Sequence, residues 1–315
     1  MSEYINEVKV SEIARMADGI RERVLAHTLK NNGGYMSQAC SAAELLATLY
    51  GAILSLAPLD QPLAPSLFSG VPARSDKDIL DSPKINFETG ARFHGEKRPE
   101  LDRLISSPAH YALVIYAALI ESGRLAENAL DFFNKDGSTV EMIGAEHSPG
   151  FETTTGSLAQ ALSQAGGIAL GRKLKNESGR TWVFMSDGEL QEGQSYEALQ
   201  AISFYKLNKV RAIVDVNRGQ CDGPMESVMS IEPIALRAKA FGWDCVSVDG
   251  HDIEAIYTAA MAESGKPRMI LCYTDPVRGL PILSEREPVL HYLRFTSDSE
   301  REKYQLAFQE MVTKS

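Results

Sequence analysis

Trp182-Val183-Phe184-Met185-Ser186-Asp187-Gly188-Glu189 and, one helix-length further on, Val210-Arg211-Ala212-Ile213-Val214-Asp215-Val216-Asn217 decide how this chain folds. Each is a short apolar run that stops at a polar residue, and a helical pattern from about 194 to 205 separates them. Strand, helix and strand in that order make a right-handed crossover, which sets the two strands parallel. Working outward, a strand over 245–248 leads to a helix from Asp252, and a further strand covers 269–273. In an open parallel sheet, ligands sit beyond the carboxyl ends of the strands. Asp187 follows one strand and Asn217 ends the next, so both side chains are expected in one crevice. A carboxylate, an amide oxygen and a nearby backbone carbonyl are hard ligands, suited to Mg²⁺ or Ca²⁺ carrying phosphate oxygens.

Upstream of this unit, Thr153-Thr154-Thr155-Gly156-Ser157-Leu158 reads as the opening of a helix rich in small residues, among them Ala161, Ala165, Gly166, Gly167 and Ala169. Free N–H groups at such a start favour a phosphate. A Gly166-Gly167 pair inside a helix implies close backbone packing. The first half of the chain is expected to be mainly helical. Ile13, Ala17, Ile20, Val24 and Leu25 recur at helical spacing until Asn31-Asn32-Gly33-Gly34 stops them. Ser41 and Glu44 read as a capping box, and Ser107-Pro108 as the start of a helix carrying His110. Residues 58–83 hold five prolines and little periodicity, which reads as a loop or insertion, spanning about 57–100. The expectation is a single domain over 1–315, of the α/β class: a doubly wound, mostly parallel sheet with helices on both faces and a helical N-terminal part.

Composition narrows the function. The chain of 315 residues is 44% hydrophobic and 23% charged, enough for a sizeable core. A net charge of −10 with no basic block argues against wrapping a nucleic acid. Cys40, Cys221, Cys245 and Cys272 are scattered, with no CxxC pair, so reduced thiols are expected rather than disulfides or a zinc site. No apolar run approaches the ~20 residues of a membrane span, and the N-terminal segment lacks the basic and apolar regions of a leader. A soluble, cytoplasmic protein is expected, with no membrane contact.

Taken together, these motifs resemble the diphosphate-binding domain of transketolases and their thiamine-diphosphate relatives. SDGELQEGQSYEA (186–198) followed by KLNKVRAIVDVNRGQCDG (206–223) looks like the family's cofactor motif. TTTGSLAQALSQAGGIALGRKL (153–174) resembles its TG helix, and VDGHDIEAI (248–256) is similar to another transketolase stretch. The resemblance runs from about 12 to 295, weakest over 57–100. It implies that Asp187, Asn217 and the Gly219 carbonyl hold Mg²⁺ (or Ca²⁺) on thiamine diphosphate. Ser186, Gly188 and Glu189 would line that site, with Gly156 and Leu158 approaching the cofactor. Ser186 stands where the family has a glycine. His110 in SSPAHYA (106–112) and His291 in RGLPILSEREPVLHY (278–292) fall where transketolases place substrate-handling histidines, His110 also near the cofactor. His147 in GAEHSPGFE (144–152) is a third candidate with irregular spacing.

One position departs from the pattern. Tyr35, in Gly33-Gly34-Tyr35-Met36-Ser37, stands where the family's early histidine meets the donor sugar. A phenol still hydrogen-bonds but carries no proton at neutral pH, so an unusual donor is expected. Arg92, His94, Lys97 and Arg98 read as a solvated face, or else as part of an anion-recognising lid. The expected function is ketol transfer between an anionic ketose and an aldose by a split enzyme. A separate C-terminal subunit would carry the pyrimidine-binding and C-terminal domains, with two copies of each chain. Two alternatives stay open: the α-type half of another thiamine-diphosphate enzyme (a 2-oxo-acid dehydrogenase or ketol synthase), and a non-catalytic cofactor-binding subunit.

Overall fold

In the computed structural model, which describes residues 5–68 and 88–314, every residue of the strand Val210–Val216 is buried. Burial on both faces is what a parallel strand covered by helices requires. The strands are β1 (Arg103–Ser106), β2 (Thr181–Ser186), β3 (Val210–Val216), a short hairpin of β4 (Gly219–Gln220) and β5 (Gly223–Pro224), then β6 (Asp244–Asp249) and β7 (Arg268–Tyr273). Among the described residues, β1, β2, β3, β7 and β6 form, in that order, a five-stranded sheet that is parallel throughout. The helices are α1 (Glu7–Asn31), α2 (Met36–Thr48), α3 (Ala112–Glu121), α4 (Gln160–Leu174), α5 (Gly193–Phe204), α6 (Met225–Val228), α7 (Ile234–Ala240), α8 (Ile253–Met261) and α9 (Asp298–Lys314).

Side-chain alternation sorts the strand residues onto two cores. Trp182, Phe184, Ile213 and Ile270 pack beneath α1, α2, α3 and α8. Val183, Met185, Ala212, Val214 and Leu271 pack beneath α4, α5 and α7. Each buried Leu or Ile contributes about 1.5–3 kcal/mol, so the two cores together fix which face every strand residue takes. All residues of α2 are buried, as its nearly all-apolar and small composition allows.

Local chemistry sets the boundaries that matter for the site. Asn6 caps α1 by accepting from the Lys9 N–H at 2.9 Å, and Asn32 ends it in the left-handed region at φ 54°. Gly34 then forms an antiparallel bridge with Leu293. A Cβ at Gly34 would sit 2.1 Å from Thr28 Oγ1, so the close approach depends on glycine. That bridge brings the segment carrying His291 beside Tyr35.

Several local expectations change. Ser41 and Glu44 lie inside α2 rather than at its start, because each has a tertiary partner: Asp215 for Ser41, and Arg21 with His251 for Glu44. Ser107 caps no helix; its hydroxyl donates to Glu189, and a 3-10 turn over Ala109–Tyr111 leads into α3. The 153–158 segment is a loop held by a Thr155 Oγ1 bond to the Ser106 carbonyl at 2.8 Å, and α4 begins at Gln160 after Ala159 at φ 69°. Gly166 does serve close packing, since a Cβ there would meet Ile202 at 2.9 Å, but Gly167 faces open space. His94 belongs to no solvated face: it is buried, bonded to Tyr50 and Glu152. Of the expected loop, residues 69–87, with Pro72 and Pro83, lie outside the described residues.

Candidate active site

β2 and β3 end side by side, with Ser186 opposite Asp215. Beyond those ends lies a cleft of about 320 Å³ lined by His110, Leu158, Ser186, Asp187, Gly188, Asn217, Gly219 and His291, together with Gln38, Tyr111, Gln191, Gln220, Cys221 and Asp222. The first eight are residues singled out in the sequence, and the fold gathers them from five separate stretches of chain.

Asp187 opens a 3-10 turn directly after β2 and is 1% exposed. Its Oδ2 accepts from the Arg218 N–H at 2.7 Å. Burial, and then the neighbouring Asp215 carboxylate, push Asp187 up to about 7. No cationic side chain pairs with it among the described residues. Asn217 is held by its amide nitrogen, which donates to Tyr111 Oη at 3.1 Å and Asp215 Oδ2 at 3.2 Å. Its Oδ1 accepts from the Gly219 N–H at 2.9 Å, which leaves a lone pair for a further partner. A Cβ on Gly219 would only reach van der Waals contact with that oxygen, at 3.4 Å.

Glu189 lies just behind the cleft, fully buried, and ties three segments together. Its carboxylate accepts from Ser186 N–H at 2.9 Å and Ser186 Oγ at 3.1 Å, closing a capping box, and also from the Ser107 hydroxyl. The Ala159 N–H adds a bond from the start of α4. Burial pushes Glu189 up to about 7. Its work is positional: it aligns the ends of β1 and β2 with the loop carrying Leu158.

The histidines form a ring cluster in the same cleft. His110 and His291 stand with centroids 5.3 Å apart, and Tyr35 packs against both, at 5.7 and 5.5 Å. Tyr292 closes the group on Tyr35 at 4.9 Å. Gln38 Nε2 lies 3.1 Å from His291 Nδ1. Burial, and then His291, push His110 down to about 4, and burial lowers His291. Both imidazoles are therefore neutral at physiological pH, each able to donate at one nitrogen and accept at the other. His147 is not among the cleft residues; it pairs with Glu141 at 2.8 Å and packs on Phe68 at 4.8 Å. Gly156 does not line the cleft either, and has only Ile143 near it, at 3.9 Å from a Cβ position.

Between residues 92 and 289 the chain matches the family model for "Transketolase, thiamine diphosphate binding domain". The chain belongs to the transketolase family. It is 28% identical over 291 residues to the 6-deoxy-6-sulfo-D-fructose transketolase subunit SqwG of Clostridium sp. (strain MSTE9), covering 91% of this chain and 93% of that one. It is 33% identical over 187 residues to one of the subunits of the apulose-4-phosphate transketolase of Phocaeicola vulgatus, covering 58% of this chain and 66% of that one. Among solved structures, the transketolase of Campylobacter jejuni superposes with a TM-score of 0.66 at 21% identity, over 98% of this chain. The chain spans about half the length of that transketolase, 48% of it.

The residues present fit the family's cofactor. A buried carboxylate whose pKa burial raises to about 7, with an amide oxygen beside it and no cationic side chain paired to it among the described residues, is a donor set that a divalent cation would complete. The cleft and the layer directly behind it also include groups that spacing did not reveal. Asp215 is buried within β3 and accepts from Ser41 at 2.6 Å, Thr274 at 2.5 Å and Tyr111 at 2.9 Å. An aspartate inside an otherwise apolar strand is the signal that could have found it. Gln38, Gln191, Gln220, Cys221 and Asp222 carry no comparable signal.

Proposed function

We propose that this chain is the N-terminal, diphosphate-binding subunit of a split transketolase, moving a two-carbon ketol unit from an anionic ketose to an aldose. The observation that carries this reading is one cleft lined by Asp187, Asn217 and Gly219 together with His110 and His291. The transketolases it resembles include two that are named as subunits.

Asp187 Oδ, Asn217 Oδ1 and the Gly219 carbonyl would hold Mg²⁺ (or Ca²⁺), with Ser186 and Gly188 leaving room for the diphosphate. Glu189 supports that floor from behind, and Leu158, with Gly156 in the same loop, approaches the cofactor. When bound, thiamine diphosphate supplies a carbon nucleophile toward the ketose carbonyl. The chain's own part is to bind, orient and move protons. His110 and His291, both neutral, can each accept from one sugar hydroxyl and donate to another, and Gln38 fixes the His291 ring. Tyr35 sets how much room the donor has beside them. His147, engaged by Glu141, has no assigned part in this reading.

A separate C-terminal subunit would complete the site, in an assembly with two copies of each chain, the usual closed arrangement. Four free cysteines suit a reducing cytoplasm. Replacing His110 or His291 by alanine tests the reading. Ketol transfer in the presence of the partner is expected to fall by about 10²-fold, with thiamine diphosphate still bound. Full activity in both variants would remove the histidines from the mechanism.

A further inference from the structure

Among the described residues, the edge of the sheet opposite the cleft carries a buried cation without a partner. Arg211, the second residue of β3, is 2% exposed, and neither its Nε nor its Nη1 has a hydrogen-bond partner. Strand register sets it between Trp182 on β2 and Arg268 on β7, so the three side chains project to the same face. Arg180 lies just before β2 on the same edge. The carboxylates nearby are committed elsewhere. Asp244 accepts from Arg268 at 2.6 Å and Glu263 from Arg180 at 2.9 Å. Asp102 accepts from Ser55 N–H, Arg180 N–H and Trp182 Nε1. The Nε of Arg268 is a further buried donor left without an acceptor among the described residues. Burial, and then Arg180 and Arg268, pull Arg211 down to about 10, so it remains cationic at neutral pH. A buried charge with unmade hydrogen bonds is costly, and natural interiors pair such groups or fill the site.

We propose that Arg180, Arg211 and Arg268 form a second anion site, which takes a tetrahedral oxyanion, either free phosphate or the head group of a phosphorylated metabolite. The guanidinium fork matches that geometry, and the orphan donors of Arg211 and Arg268 supply the bonds. Arg211 lies six residues before Asn217 on one extended strand, so the site stands about 20 Å from the proposed cation site. It therefore does not overlap the diphosphate cleft.

The test is thermal unfolding of the whole chain in phosphate, in glycerol phosphate and in chloride at equal ionic strength. A ligand that binds the folded chain raises its midpoint saturably. The saturable rise is expected in both phosphates but not in chloride; equal rises identify the free ion, and a larger rise with the ester identifies the head group. Arg211→Met, similar in volume, is expected to bind the anion at least about tenfold more weakly. Arg180→Gln, at the more exposed rim, is expected to weaken it while keeping the buried packing, which covers the case of an Arg211 variant that does not fold. Identical midpoints in all three salts overturn the site. So does a full rise retained in the variants, which would place the anion in the cofactor cleft instead.

Discussion

The Asn217 amide donates to Oδ2 of Asp215, two residues earlier on the same strand, at 3.2 Å. That bond turns the Asn217 oxygen toward the cleft, and Asp215 is itself locked by Ser41 from α2 and Thr274 after β7. Asp215 would thus act on a bound cation through Asn217. Asp215→Asn, which removes the charge and one acceptor, is expected to weaken Mg²⁺-dependent thiamine diphosphate binding by ~10–100-fold, the range for outer-shell partners of metal ligands. Titration calorimetry with the partner present reads this, and unchanged affinity would remove Asp215 from the site.

Asp187→Ala and Asn217→Ala are expected to weaken cofactor binding more than they weaken the fold. Asp187 is held ionised only against burial, which pushes it up to about 7. Removing it takes away a desolvated charge along with the Arg218 N–H bond, so the two effects on stability oppose each other. Loss of affinity of at least about tenfold, with a midpoint close to the parent's, is the expected pair of results. A large drop in midpoint with affinity intact would reassign both residues to structure.

The same shift sets a pH dependence. Asp187 rises from 3.8 to about 7 on folding, so the folded chain holds a proton that the unfolded chain has released. Stability from this group is therefore fully present at low pH and is lost as pH rises through about 7. His110 and His27, both pushed down to about 4, work in the opposite direction below their ordinary 6.5. The difference between the parent chain and Asp187→Asn isolates the aspartate. Without cation, the parent is expected to lose stability relative to the variant as pH rises, and saturating Mg²⁺ with thiamine diphosphate should abolish that trend. A difference independent of pH would contradict the assignment.

The strand–helix–strand unit was legible because apolar runs ending in Asp187 and Asn217 make a periodic signal independent of tertiary context. What the sequence hid was decided by distant partners. Ser41 and Glu44 carry the spacing of a cap, yet they act in mid-helix because Asp215, Arg21 and His251 reach them there. β1, only four residues long and bounded by arginine and serine, shows no periodicity to read. Asp215 looks like a break in a strand until its three hydroxyl donors are seen. The histidine pair was found by flanking motifs, whereas the packing of Tyr35 on both rings comes only from the bridge between Gly34 and Leu293.

Tyr35→His should change donor choice. The ring now fills the space beside His110 and His291, and an imidazole would return that space to the substrate. The ratio of kcat/KM between two donor ketoses is expected to shift by roughly tenfold, the scale of one gained or lost pocket contact. A ratio unchanged across a panel of donors would make Tyr35 a packing residue only.

The central claim is that the cleft is half of a site. Ketol transfer by the purified chain, measured alone and after mixing with the candidate C-terminal subunit, tests it most directly, with the mass of each sample from light scattering. No turnover alone, turnover on mixing, and a mass of two copies of each chain is the predicted result. Robust turnover by this chain alone would contradict it.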